Sequence, residues 1–218
     1  MPELTPTLKD CLGWGMRLLQ CNRKCYRECC EIVNTQPPEL ARAELLRLLP
    51  ELSEFGNFFP IPEGGGSRLA IDSLVKAYRA MFALPKHAEV THAICATGTG
   101  ATVAGLSLAA PDKVDVIGVQ AVAEAQATSL RIEKWLRHSP KNLTIVEGHL
   151  GGFAKRPDEL VAFIDQFEDQ FNIPLDPIYN AKVAYKLSQM FAEGYFSSGD
   201  KVLMLHTGGL QGRRGISL

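Results

Sequence analysis

The chain has 218 residues and a formal net charge of −1, with 46% of its residues hydrophobic and 22% charged. That length suits one large or two small domains, and the composition is that of an ordinary soluble globular protein. The near-neutral charge gives no electrostatic footprint for nucleic acid or an acidic membrane, and the start, MPELTPTLKDC, has no basic segment followed by an apolar core of the kind a secretory signal carries.

Residues 5–14 read as a short helix, with Thr5 as N-cap and Pro6 in its first turn. Residues 16–21 form a short strand in this reading, and 23–33 is a charged segment of undecided structure. Five of the six cysteines precede residue 31. In a chain without a secretory signal they are expected to be reduced. Cys21, Cys25, Cys29 and Cys30 are spaced C-x3-C-x3-C-C, which matches neither the common zinc pairs nor the usual ferredoxin spacings. If the segment is helical, a spacing of four stacks three thiols on one side. The expectation is a chance cluster in a basic, partly exposed segment rather than a metal site.

Residues 34–38 read as a loop, and 40–49 repeat Leu and Ala at helical spacing. Residues 55–61 are apolar, aromatic and strand-like, and run into PEGGGS. From there the pattern is regular. Residues 67–83 read as a helix, 90–95 as a strand, 101–110 as a helix, 114–119 as a strand and 124–137 as a helix. A strand at 143–146 is followed by a Gly-rich loop at 149–153. Helices follow at 157–171 and at 176–194, the second with Asp176 as N-cap and Pro177 just inside. The last strand is 201–205. Residues 93–111 carry no charge and are long enough to weigh as a membrane span, but their Gly and Thr content favours a turn followed by a helix. No internal repeat or low-complexity tract interrupts the chain.

Alternating helices and nearly all-apolar strands predict an α/β fold, a mostly parallel sheet covered on both faces. Ligands on such sheets bind at the carboxyl ends of the strands. ATGTG, GHLGG and HTGG each follow a strand, so all three are expected on one rim.

ATGTGATVAG has the properties an anion site needs. Its glycines allow close backbone approach, and the following helix offers unpaired N–H groups and a positive dipole end. A flexible turn that merely connects strand to helix is the competing reading. A P-loop is excluded, because no Lys occurs between Lys86 and Lys113. A dinucleotide fingerprint would place glycine where Val103 stands, and an acid at the end of the next strand, which ends Val119-Gln120. A nicotinamide oxidoreductase is therefore disfavoured, and one compact loop suits a phosphate monoester.

FGNFFPIPEGGGSRLAIDSL, ATGTGATVAG and LDPIYNAKVAYKL…KVLMLHTGG occur in the order seen in one enzyme group. The chain resembles the pyridoxal-phosphate enzymes of the tryptophan-synthase-β-like fold, and within them the 1-aminocyclopropane-1-carboxylate deaminase and D-cysteine desulfhydrase family. The likeness runs from about Thr5 to the end and is weak over residues 23–52. It implies a three-layer fold with residues 1–60 as the remainder of a small domain and 61–218 as the large cofactor-binding domain. It also implies pyridoxal phosphate as cofactor, a lyase or deaminase reaction on a small amino acid, a homodimer and a cytoplasmic location. Gly98, Thr99, Gly100, Ala101 and Thr102 match the family's phosphate loop. Thr207 matches the position whose hydroxyl meets the pyridine nitrogen in the desulfhydrases. Tyr179 matches a catalytic-site tyrosine near the substrate, and residues 63–66 match the stretch where the chain re-enters the large domain.

Two departures matter. Where the deaminases place a carboxylate after the tyrosine, this chain has Asn180. Neutral Asn180 and Thr207 do not favour a protonated ring nitrogen, so the resemblance leans towards a D-amino acid with a β-leaving group. The family's Schiff-base lysine lies in a Gly-Asn-Lys context followed by Ser-Asn-His or Ser-Asn-Gln, and no lysine here has that context. The expectation is a chain lacking about the first third of the usual protein, inactive alone, with exposed apolar surface. Lys182 is read as helix surface rather than as a substitute. Tyr179 either serves the site or packs with its hydroxyl satisfied. His206 is expected to be held by backbone hydrogen bonds, Trp135 and Leu136 to be core, and Arg213 and Arg214 to form a solvated face or a dimer contact.

Overall fold

The computed structural model describes residues 4–123 and 125–215. Helices α1 (Pro6–Gly13), α2 (Arg23–Thr35) and α3 (Pro38–Leu48) come first, followed by α4 (Arg68–Phe82). Then come β1 (His92–Thr97), α5 (Ala101–Ala109), β2 (Asp115–Gln120), α6 (Ala125–Leu136) and β3 (Leu143–Glu147). The chain ends with α7 (Asp158–Phe171), α8 (Asn180–Ala192), β4 (Val202–Met204) and a 3-10 turn, Leu210–Gly215. The four strands are parallel, in the order β3-β2-β1-β4.

Strand alternation builds the two cores. Ala93 and Cys95 of β1 and Val116 of β2 face α4, α5 and α6, against Ile71, Val103, Leu106 and Ile132. Ile94, Ala96, Ile117 and Val119 face the other way, against Val183 and Met190 of α8. Leu160 and Ile164 of α7 pack beyond them on Leu175, Ala181 and Ala184. Each buried Val, Leu, Ile or Met among them contributes about 1.5–3 kcal/mol by leaving water. Helices on both faces make the three-layer α/β fold expected from the sequence.

Local signals explain the helix starts. Thr5 accepts the Leu8 N–H (3.4 Å), with Pro6 at the first position. Ser67 accepts the Ala70 N–H (3.1 Å). Asn22 accepts the Cys25 N–H (2.9 Å) and opens α2, so the undecided 23–33 segment is helical. The predicted start at Glu124 lies outside the described residues.

Two predicted strands are absent. Residues 16–21 and 56–61 are irregular and pair with no strand. Residues 16–21 are mostly exposed, as are Phe59 and Ile61, so their apolar character reflects surface rather than a buried sheet. Trp14, Ile61, Leu69 and Leu130 are more than 60% exposed, in keeping with the expected apolar surface. Helix α8 starts four residues later than predicted. Residues 177–179 make a separate turn, which Asp176 caps.

All the cysteines are free. On α2 the thiols lie close together. Burial and then the neighbouring Cys25 push the Cys29 thiol up to about 11, and the same two causes raise Cys21. Cys21 and Cys29 thus keep their protons at neutral pH, and no group of three or more His, Cys, Asp or Glu is placed to hold a metal among the described residues. No helix among them is long and apolar enough to cross a membrane.

Arg213 is half-buried rather than part of a solvated face, whereas Arg214 is exposed as expected, and both are ion-paired. Arg213 holds the Glu168 carboxylate with two N–H groups and also donates to the Leu175 carbonyl (3.2 Å). Arg214 pairs with Asp10. The Arg213 hydrogen bonds hold the Glu168 carboxyl below its ordinary value of 4.5. A depressed carboxyl stabilises the fold above its unfolded pKa, and the contribution is lost as pH falls through the folded value. Glu168→Gln is expected to cost about 1 kcal/mol at neutral pH for this quarter-exposed pair. It should also remove part of the acid destabilisation below 4.5. Urea unfolding at neutral pH and in mild acid measures both; parallel losses in the two proteins would refute it.

Candidate functional site

The chain runs from β1 to β2 to β3 in one direction across the sheet, then places β4 on the other side of β1. The order reverses between β1 and β4, and the crevice outside the carboxyl ends at such a point is where open α/β sheets bind ligands. The start of α8 stands between the loops after β1 and β4 there, with Tyr179 on Gly98 and Asn180 bonded to Thr207 and Gly208.

Gly100 is the N-cap of α5 with φ of 103°, a conformation that glycine adopts without strain. The first intrahelical acceptor, Gly100 O, is taken by Ala104 N (3.0 Å). The amides of Ala101, Thr102 and Val103 precede that bond and have no intrahelical partner. They form a positive end suited to an anion. Helix α6 fixes the loop from behind. Arg131 Nη1 donates to Thr99 O (3.0 Å), and Thr128 Oγ1 to Gly98 O (3.4 Å).

The EGGG stretch lies against this loop. A Cβ on Gly64 would stand 2.6 Å from the Thr99 methyl, and one on Gly66 would stand 2.8 Å from the Trp135 ring. The glycines allow that approach. A cleft of ≈ 630 Å³ opens here, lined by Glu63, Gly64, Gly66, Gly98, Thr99, Val122, Ala123, Arg131, Trp135, Phe153 and Tyr179, with Asn34 at its edge. Trp135 is half-buried, packed against the core on one side and forming part of the cleft wall, and Leu136 is buried in the core as expected.

Tyr179 caps α8 and covers Gly98, where a Cβ would lie 3.5 Å from its ring. Its other neighbour is Phe153, edge-on at 6.3 Å. Burial, then the charges of Asp176 and Glu63, raise the Tyr179 hydroxyl above its ordinary value of 10. It therefore holds its proton at neutral pH.

Beneath Tyr179 lies a buried polar relay. Asp176, 2% exposed, accepts the amides of Ile178 (3.1 Å), Tyr179 (2.8 Å) and Asn180 (2.9 Å), and the Asn180 side chain (2.5 Å). Asn180 also donates to Gly208 O (2.8 Å) and accepts from Thr207 N (3.1 Å). Both ends of its amide are engaged, so Asn180 positions the HTGG loop. Thr207 is exposed beside it, with its hydroxyl 3.4 Å from Asn180 Oδ1, and it does not line the cleft. His206 Nε2 donates to Pro174 O (2.9 Å) and its Nδ1 accepts Gly208 N (3.2 Å), so the backbone holds it as expected.

Of the residues singled out from the sequence, Gly98, Thr99 and Tyr179 meet at the cleft. Gly100 and Ala101 are buried beneath it, and Thr102 is half-buried in the first turn of α5. Lys182 is the correction. It is fully buried, not helix surface, and its Nζ donates to Ala121 O (3.2 Å), His149 O (3.0 Å) and Gly152 O (2.9 Å). Burial lowers its pKa. All three ammonium protons are spent. The available signal was its setting in Asn-Ala-Lys-Val-Ala, one charge in an otherwise uncharged run.

The arrangement fits one end of a phosphorylated ligand. Gly98 and Thr99 line an aromatic-walled cleft, and the unpaired amides at the start of α5 follow directly behind them. No lysine lines that cleft among the described residues.

No family model matches the chain. A curated protein of Thermotoga maritima named putative 1-aminocyclopropane-1-carboxylate deaminase is 28% identical over 198 residues, covering 84% of this chain and 62% of that protein. One of the same name from Pyrococcus horikoshii is 24% identical over 165 residues, covering 71% and 50%. The chain thus spans about half to three fifths of the length of these relatives. A crystal structure described as that of an ACC deaminase homologue superposes with a TM-score of 0.76 at 20% identity, over 98% of this chain and 65% of that one. That match shows the fold. With the curated relatives, it supports the 1-aminocyclopropane-1-carboxylate deaminase family at low identity.

Proposed function

We propose that this chain forms the cofactor-holding part of a pyridoxal-phosphate-dependent deaminase or desulfhydrase acting on a small amino acid. The observation that carries the reading is the cleft lined by Gly98, Thr99 and Tyr179, which leads directly into the unpaired amides at the start of α5. In this reading the amides of residues 98–102 and the hydroxyls of Thr99 and Thr102 hold the phosphate. By the resemblance Thr207, which stands outside the cleft, would serve the ring nitrogen, and Tyr179 would donate a proton on the substrate side. When bound, pyridoxal phosphate supplies an electron sink for the substrate carbon next to the amino group.

The substrate class follows from the relay. A carboxylate against the ring nitrogen would keep it protonated. Asn180 is neutral and fully engaged, and the Asp176 charge is spent on amides behind it. A weaker sink suits loss of a good β-leaving group, so a D-cysteine-like amino acid is favoured over cyclopropane ring opening. The cytoplasmic location and the homodimer remain part of the proposal, the latter supported by exposed Ile61 and Leu69 beside the cleft region.

The polypeptide alone is proposed to bind the cofactor without bonding to it, because Lys182 is committed to three carbonyls. The test is incubation with pyridoxal phosphate, borohydride reduction and intact-mass measurement. The expected result is reversible binding that inorganic phosphate competes away, with no mass fixed on a lysine. A fixed adduct on one lysine would overturn the inactivity. Absence of any affinity for pyridoxal phosphate or phosphate would overturn the holding role. The second reading is a non-catalytic remnant that binds phosphate or a partner subunit, favoured by the same commitment of Lys182. Equal affinity for phosphate and pyridoxal phosphate would select it.

A further inference from the structure

The Lys182 ammonium sits where a small metal-like cation would. It is fully buried and surrounded by main-chain carbonyls of Ala121, His149 and Gly152 at 2.9 to 3.2 Å. All three of its hydrogen bonds go to main-chain carbonyls, and the Asp176 carboxylate acts on it only through its charge. The two loops that supply these oxygens continue directly into the cleft wall, through Val122 and Ala123 in one and Phe153 in the other. Lys182 itself stands one turn along α8 from Tyr179. The second loop is bent to serve the ammonium. Leu150, Gly151, Gly152 and Ala154 have φ values of 51°, 92°, 130° and 57°. Leu150 and Ala154 are strained in that region. A buried backbone carbonyl with no partner is costly, and a buried charge needs a full set of partners. Lysine and cage satisfy each other.

We propose that Lys182 is a built-in monovalent cation. Its ammonium fills a three-carbonyl cage and so positions both cleft-wall loops, and the cage accepts a free ammonium or potassium ion once the side chain is removed. Lys182 is a positioning residue here. The inference concerns loop order and holds whether or not pyridoxal phosphate is the ligand.

Three measurements test it. Lys182→Met keeps the bulk and removes the charge, and is expected to lower the melting temperature by about 5 °C or more. It should also speed trypsin cleavage after Lys155, in the same loop. Lys182→Ala should behave similarly in tetramethylammonium chloride. In ammonium or potassium chloride of equal ionic strength it should regain melting temperature and trypsin resistance, while the wild type and Lys182→Met stay unchanged. In the wild-type protein, reductive methylation should leave Lys182 unmodified while the exposed lysines react. The proposal is overturned if Lys182→Ala responds equally to ammonium, potassium and tetramethylammonium, or if Lys182→Met melts and digests like the wild type. Methylation of Lys182 at the rate of exposed lysines also overturns it, and needs no variant to fold. Loss of pyridoxal-phosphate binding without any of these results would count against the cofactor reading alone.

Discussion

Replacing Asp176 with alanine is expected to destabilise the protein by about 3–5 kcal/mol, the range for removing one partner of a buried charged network. The carboxylate is 2% exposed and accepts three backbone amides and the Asn180 side chain. Hydrogen bonds to a charged acceptor are worth about 1.5–3 kcal/mol each, and bonds to one group do not add. Removal also frees Asn180 to turn, and Asn180 holds the Thr207 and Gly208 backbone. In a chain of this size the melting temperature should fall by about 6–15 °C. Asp176→Asn should still be destabilised, because one of its oxygens becomes a donor facing the donors of Asn180. Thermal melts followed by circular dichroism measure both. A loss under about 1 kcal/mol in Asp176→Ala would mean that the relay is not what fastens the HTGG loop.

Gly100→Val is expected to abolish phosphate binding and to cost about 3 kcal/mol or more. Two effects combine at this one position. The backbone φ is 103°, which a β-branched residue resists. An added Cβ would also stand 3.0 Å from Ile132 Cγ1 and 3.1 Å from Thr128 Cγ2. Relief requires α5 to move away from α6, which carries the loop amides with it. Gly13→Ala is a control, because nothing lies within 4 Å of its new methyl. Calorimetric titration with inorganic phosphate and with pyridoxal phosphate reads the loss. Retained binding in Gly100→Val would move the anion site elsewhere.

Much of the sheet was legible in the sequence because its strands are buried on both faces. Residues 90–95 and 114–119 are mostly apolar, broken only by Thr91, His92 and Asp115 near their starts, and each falls within two residues of its strand. The same reasoning placed ATGTG, GHLGG and HTGG on one rim. It failed where apolar residues lie on the surface. Phe59 and Ile61 look like strand residues, yet are exposed and irregular. Helix α2 was obscured by its charges, although its apolar and charged residues segregate on opposite sides. In the site, Gly98, Thr99 and Tyr179 were legible from loop chemistry and motif. Lys182 was not, because pattern reasoning assigns lysine to solvent, and only the loop carbonyls, set by tertiary structure, make its burial tolerable.

Arg214 reaches Asp10 across 204 positions of chain, and α1 packs against the turn that carries it. Helix α1 has eight residues and buries none of them, too short to persist alone in water. Its order therefore depends on a surface supplied from far along the sequence. The segment stays loose until the 210–215 turn has folded, and its docking closes a loop that spans 204 positions.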